Sequence, residues 1–418
     1  MTVLIKQAKI ICPSSSFHGK QQDILIKEGK INKIDDHIDA PDSQVIAIPG
    51  LCVSLGWMDI FADFADPGFE YRETLESGAK AAAAGGFTDV MLMPNSQPVV
   101  DNKSQVEYIT QKSKQLAVNI HPIGALTKQT EGKELSEMYD MHQSGAIAFS
   151  DGIHPVQTPG LLLKALQYVV AIDATVIQVP DDHTIGSHGL INEGIISTQL
   201  GLPGKPAIAE ELMIVRDIEL ANYTGSKIHI TAVSTQKSVD LIAKAKSAGT
   251  RISCSATPYH CFFCDEDLQQ YDTNLKVNPP LRTRKDMQAV QQAVLDGTID
   301  CIATHHLPQN WDNKTCEFEY AKFGMTGLET AFAVLRSMGC SAERFVQMQT
   351  QAARDIFGLA LPTIEPGAAA CLSLFLPDAE FVYAVEKIKS KSKNSPFIGT
   401  KLTGSVIGII NGNHIELN

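Results

Sequence analysis

The feature that most restricts what this chain can fold into is a regular alternation, through its middle, of short apolar runs with segments of helical period. FTDVMLMP (87–94), AVNIHPIG (117–124), AIAFSDG (146–152), ATVIQVP (174–180), KIHITAVS (227–234), RISCSATP (251–258) and IDCIATHH (299–306) each adjoin such a segment. Strand and helix in turn predict parallel strands joined by crossover helices, closing into a barrel. One helix is explicit in AIAEELMIVRDIELA (207–221). There Ile208, Leu212, Val215 and Leu220 mark an apolar face expected to rest on the outside of the barrel, with Glu210, Glu211, Asp217 and Glu219 largely off it. In such barrels the chemistry sits at the C-terminal ends of the strands, so the last residues of each run are the candidate site.

The two ends of the chain read differently. VLIKQAKIIC, DILIKEGKINKID and SQVIAIPG are short strands with a Glu-Gly-Lys hairpin signal, and CLSLFLP with GSVIGIINGNHIELN repeats the style around an Asn-Gly turn at Asn411 and Gly412. The expected organisation is therefore residues 1–51 and 367–418 as the two parts of one small β-sandwich, flanking a barrel over 52–366. KIKSKSKNSP (387–396) reads as a solvated loop.

A net charge of -12 argues against a general nucleic-acid binder. No run approaches the length of a membrane span, and MTVLIKQAKI lacks the blocks of a signal peptide, so a cytoplasmic protein is expected. The 9 cysteines have no framework-like spacing, which suits reduced, buried thiols. Cys261 and Cys264, following His260, look like half a zinc site, but no second ligand pair lies near them in sequence; core thiols are the preferred reading.

Longer signatures carry a specific resemblance. DPGFEYRETLESGAKAAAAGGFTDVMLMPN (66–95), GLPGKPAIAEELMIVRDIELA (201–221), NLKVNPPLRTRKD (274–286), DGTIDCIATHH (296–306), GMTGLETAF (324–332) and NSPFIG (394–399) resemble, in order, the consecutive motifs of class-I dihydroorotases of the amidohydrolase superfamily. The resemblance spans nearly the whole chain. It implies a distorted (β/α)8 TIM barrel, a place in pyrimidine synthesis, and a pair of zinc ions at the barrel mouth. Those ions would lower the pKa of bound water and polarise the carbonyl under attack.

The residues at the implied ligand positions do not match that chemistry. Where the family has Asp-x-His-x-His followed by a substrate-binding arginine, this chain reads MDIFADFAD: Asp59 is kept, Phe61 and Asp63 stand at the histidine positions, and Ala65 at the arginine position. Gln178 and Ala232 align with two further histidine ligands, and His305 with the metal-binding, proton-moving aspartate. Asp151 alone resembles a retained ligand. Asn95 and Asn278 stand where the family contacts its substrate, although asparagine at a strand end before a turn is common for backbone reasons alone.

Three functions are compatible with this pattern. The first is a dihydroorotase homologue without catalysis and without bound metal, a homodimer and a structural or regulatory partner of aspartate transcarbamoylase, as the resemblance to degenerate members of the family implies. Phe61 and Ala232 offer no lone pair, and Gln178 only a neutral carbonyl. The second is an active cyclic-amide hydrolase with a reshaped site, in which Asp63, Asp151 and His305 bind one metal, or His305 and Asp151 act as an acid/base pair. A charged His305 would then also balance Asp63 and Asp151. The third is a non-catalytic module binding a small ligand in the old pocket.

Overall fold

The structure is a computed structural model describing residues 2–418. Its centre is a parallel barrel of strands β1 (Trp57–Ala62), β2 (Phe87–Leu92), β3 (Asn119–Gly124), β4 (Ala148–Phe149), β5 (Thr175–Gln178), β6 (Lys227–Ile230), β7 (Ile252–Ala256) and β8 (Cys301–Ile302), each beside its sequence neighbour. The alternation in the sequence thus became the expected fold.

Between β8 and β1 the ladder is incomplete, and a side chain closes the seam. Asp63 N–H donates to the His306 carbonyl at 2.8 Å, beside a parallel bridge between Ala62 and His306. Deeper in, the Asp59 carboxylate accepts the Thr304 N–H at 2.7 Å and its hydroxyl at 2.9 Å, standing in for ladder bonds. Burial pushes the Asp59 carboxyl up to about 7 against those hydrogen bonds. The retention of Asp59 therefore has a structural reason.

Both ends of the chain enter one eight-stranded mixed sheet. Its hinge strand, Cys52–Leu55, pairs parallel to Thr2–Ile10 on one side and antiparallel to Cys371–Val382 on the other. One residue, Gly56, separates this strand from β1. A Cβ there would lie 2.1 Å from Thr88 Oγ1 and 2.7 Å from Cys371 Sγ, so no larger residue fits where the chain passes between the sheets. Just beyond it, Trp57 packs at 4.8–5.2 Å between ring centroids against Phe332, Phe345 and Phe375, joining the N-terminal end of the barrel to the terminal sheet. Among the described residues no helix is long and apolar enough to cross a membrane.

Two sequence expectations are corrected. The helix Ile208–Thr224 is turned: Ile208, Leu212 and Val215 are exposed, while Ala209, Glu210, Met213, Ile214, Asp217, Ile218 and Ala221 are buried. Polar anchoring decides its rotation. Glu210 accepts the Ser234 N–H at 2.9 Å and the Thr235 N–H at 3.3 Å, and lies 3.4 Å from the buried Arg282 guanidinium, while Asp217 pairs with Arg216 at 2.7 Å. The segment read as a solvated loop is instead a strap with strict alternation. Ile388, Ser390, Ser392 and Asn394 are buried and Lys389, Lys391 and Lys393 exposed. Two carboxylates pin it: Glu73 accepts the Ser390 hydroxyl and the Lys391 N–H, and Glu329 accepts the Lys389 and Ser390 N–H groups.

Candidate functional site

The C-terminal ends of the strands surround a cavity of about 500 Å³. Its wall is largely apolar, with Phe69, Met93, Val179, Tyr259, Val277 and Phe323, and its polar lining includes Asp63, Arg72, Asn95, Asn278 and His305. The site expected from the sequence is thus located at the expected end of the barrel, but its side chains are tied to one another or to the scaffold.

On β1, Phe61 is fully buried and its ring lies 4.6 Å from the His305 imidazole, tilted by 33°. Two residues further along the chain, Asp63 accepts the Ala65 N–H at 2.7 Å and pairs with Arg72 at 3.2 Å. Burial raises the Asp63 carboxyl and the Arg72 charge opposes that rise. Arg72, which the sequence reading did not single out, also lies over the Phe69 ring at 4.7 Å. Its guanidinium enters the cavity from a position seven residues after Ala65. The signal available in sequence was the new carboxylate at 63, which needs a cation somewhere once it is buried.

Asp151 is buried and accepts both the Thr127 N–H at 2.8 Å and the Thr127 hydroxyl. No cation stands within ion-pair distance of it among the described residues, and burial raises it to about 6. His305 is buried, with Nε2 2.7 Å from Thr231 Oγ1. Burial lowers it to about 3, with His260 and His229 nearby adding to the effect. The expected charge compensation is therefore corrected: His305 is uncharged at neutral pH and its partner is a hydroxyl, while Arg72 serves Asp63. Its neighbour His306 accepts the Gly327 N–H at Nδ1 (3.2 Å) and turns Nε2 toward Glu73 at 3.5 Å.

Gln178, at the end of β5, is buried and its Nε2 has no hydrogen-bond partner. Ala232 is fully buried. The backbones of Ala65, Ala232 and His305 have φ of +56°, +59° and +45°, a left-handed conformation costing about 1–2 kcal/mol each for residues with a Cβ. These strained residues cluster where a barrel enzyme places its functional groups, although two of the three side chains have no polar atom.

Asn95 and Asn278 both line the cavity, and both are also engaged by the scaffold. Asn95 donates to the Asp151 carbonyl at 3.1 Å and accepts the Ile153 N–H at 3.1 Å. Asn278 donates to Asp181 at 2.9 Å and accepts from Lys205 at 3.0 Å, and Lys205 in turn pairs with Asp181 at 2.6 Å.

Zinc does not fit these residues. Among the described residues no three His, Cys, Asp or Glu side chains are grouped to hold a metal ion. In particular, Asp63, Asp151 and His305 do not form one cluster: each is spent on a different partner. The Cys261 and Cys264 thiols are buried with raised pKa, and His260 is occupied by the Thr257 hydroxyl and the Pro279 carbonyl, both at 3.0 Å.

Comparison with known proteins gives the ancestry. Residues 50–238 match the family model described as Dihydro-orotase-like. The dihydroorotase of Acetivibrio thermocellus is 41% identical over 418 residues, covering 98% of each chain. This chain belongs to the dihydroorotase family. A second dihydroorotase, from Pelotomaculum thermopropionicum, is 41% identical over 425 residues, covering 100% of this chain and 99% of its own. Among solved structures, the L-hydantoinase (dihydropyrimidinase) of Arthrobacter aurescens superposes with a TM-score of 0.86 at 22% identity, covering 99% of this chain and 95% of its own. The dihydropyrimidinase of Brevibacillus agri gives 0.84 at 19%. At such identities the likeness is one of fold. Zinc dependence is typical of the dihydroorotase family, and its barrel persists here around a donor set unsuited to zinc.

Proposed function

We propose that this dihydroorotase homologue does not perform zinc-assisted hydrolysis of cyclic amides, and acts in pyrimidine synthesis as a structural or regulatory partner of aspartate transcarbamoylase. The observation that carries this reading is the Phe61–His305 contact: an aromatic ring and an uncharged imidazole bonded to a hydroxyl stand at two of the implied ligand positions. Gln178 and Ala232 remove two more.

The proposal includes a homodimer in the cytoplasm, by analogy with the family. Dihydroorotate turnover of the purified protein in zinc-supplemented buffer should not exceed the uncatalysed background, and co-expression with aspartate transcarbamoylase from the same source should give a complex on gel filtration. Zinc-dependent turnover, or separate elution of the two proteins, would count against the respective half of the proposal. The alternative of a ligand-binding module is favoured by the cavity itself, which remains open at the barrel mouth.

A further inference from the structure

Behind His305, hydroxyls and imidazoles, buried except for the half-buried Ser253, form one chain whose polarity can be traced. Ser253 Oγ lies 2.8 Å from His229 Nδ1, and His229 Nε2 lies 2.9 Å from Ser255 Oγ. Ser255 Oγ donates to Thr231 Oγ1 at 2.9 Å, and Thr231 Oγ1 stands 2.7 Å from His305 Nε2. A serine hydroxyl has one proton. Because Ser255 gives its proton to Thr231, His229 must donate to Ser255 through Nε2–H, and its Nδ1 accepts from Ser253. Thr231 then has its own proton left, and the acceptor in reach is His305 Nε2. With Nε2 accepting, the one N–H of an uncharged imidazole sits on Nδ1. That nitrogen has no hydrogen-bond partner among the described residues, and His305 lines the cavity.

We propose that the barrel mouth binds an uncharged planar molecule through a carbonyl oxygen that accepts the Nδ1–H of His305. Arg72, which lines the cavity, also has its Nε without an acceptor. Of the cations lining the cavity, Arg72 is matched by Asp63, while the exposed Lys322 has no ion pair among the described residues; Lys205, beyond the lining, is matched by Asp181, and Ala65 supplies no anion clamp. The Phe69, Tyr259 and Phe323 rings give it aromatic walls. A ligand carboxylate would have to compete with Asp63 for Arg72 or stay at the exposed Lys322, whereas a neutral carbonyl ring meets the His305 N–H and apolar surface. Thr231 acts here as a positioning residue, fixing which nitrogen of His305 carries the proton.

The inference rests on the reading that no metal is held at His305, and elemental analysis of the same sample separates failure of that reading from failure of this one. Full-length protein carrying nitrogen-labelled histidine, with His305 assigned through His305→Gln, would be titrated with uracil and with orotate, which differ by a carboxylate. The expected spectrum has His305 protonated on Nδ1 and unprotonated on Nε2. Uracil should shift the Nδ1–H signal saturably, and orotate should bind at least about tenfold more weakly. Thr231→Val should mix the tautomers and weaken uracil about tenfold, while Thr231→Ser keeps both properties. A proton on Nε2, no saturable response to uracil, or orotate binding as tightly as uracil would each overturn the proposal.

Discussion

At the scale of one residue, Asp151 is a buried carboxyl held by a hydroxyl and a backbone N–H rather than by a cationic side chain. Its carboxyl is raised from 3.8 to about 6, so the native state holds the proton more tightly than the unfolded chain. The sign follows directly: this contribution is fully present below about pH 4, is lost as pH rises through about 6, and stays lost above it. Asp151→Asn keeps an acceptor for the Thr127 N–H and removes the charge. It should stabilise the protein by about 1–3 kcal/mol near pH 8 and change little near pH 4, measured by urea unfolding. If Asp151 held a metal, the same substitution would destabilise at high pH. That Phe61 and Ala232 carry no donor atom, and Gln178 only an amide, was legible from residue type alone. The Arg72–Asp63 pair and the hydroxyl partner of His305 were not, because they depend on contacts between loops and strands far apart in sequence.

At the scale of elements, several retained signatures have scaffold roles. The glutamate of PAIAEELM and the arginine of NPPLR form the buried Glu210–Arg282 pair, which also caps the turn at Ser234 and Thr235. Glu210→Ala leaves that guanidinium buried and unpaired, and should cost about 3–5 kcal/mol in denaturant unfolding. This pair also explains why the helix was misplaced in rotation. Hydropathy assigned Ile208, Leu212 and Val215 to the inner face, whereas satisfied carboxylates can be buried if their partners are present, and those partners came from other segments. In the strap, the period-two spacing of KSKSKNS was legible, but small polar residues do not announce burial without the carboxylates beneath them. Ser390→Ala removes one of the Glu73 contacts. Amide hydrogen exchange over 389–393 should accelerate about tenfold while the barrel strands are unaffected; unchanged exchange would mean the strap is held elsewhere.

At the scale of the whole molecule, the ends of the chain are part of one cooperative structure. Cys52–Leu55 has partners from both ends, and Phe375 of the terminal sheet packs on Trp57 of the barrel. Phe375→Ala should therefore lower global stability by about 3–5 kcal/mol, with barrel and terminal sheet still unfolding in one transition; two transitions would show the barrel stable alone. The joining of both ends was legible from their strand-like turns and alternation, as the barrel was from its repeating runs. The account's central claim, a dihydroorotase barrel without its zinc, is tested most directly by elemental analysis of the protein purified without chelators and dialysed against zinc. It predicts less than about a tenth of an ion per chain, since no three ligands converge. One or two tightly held zinc ions per chain would contradict it.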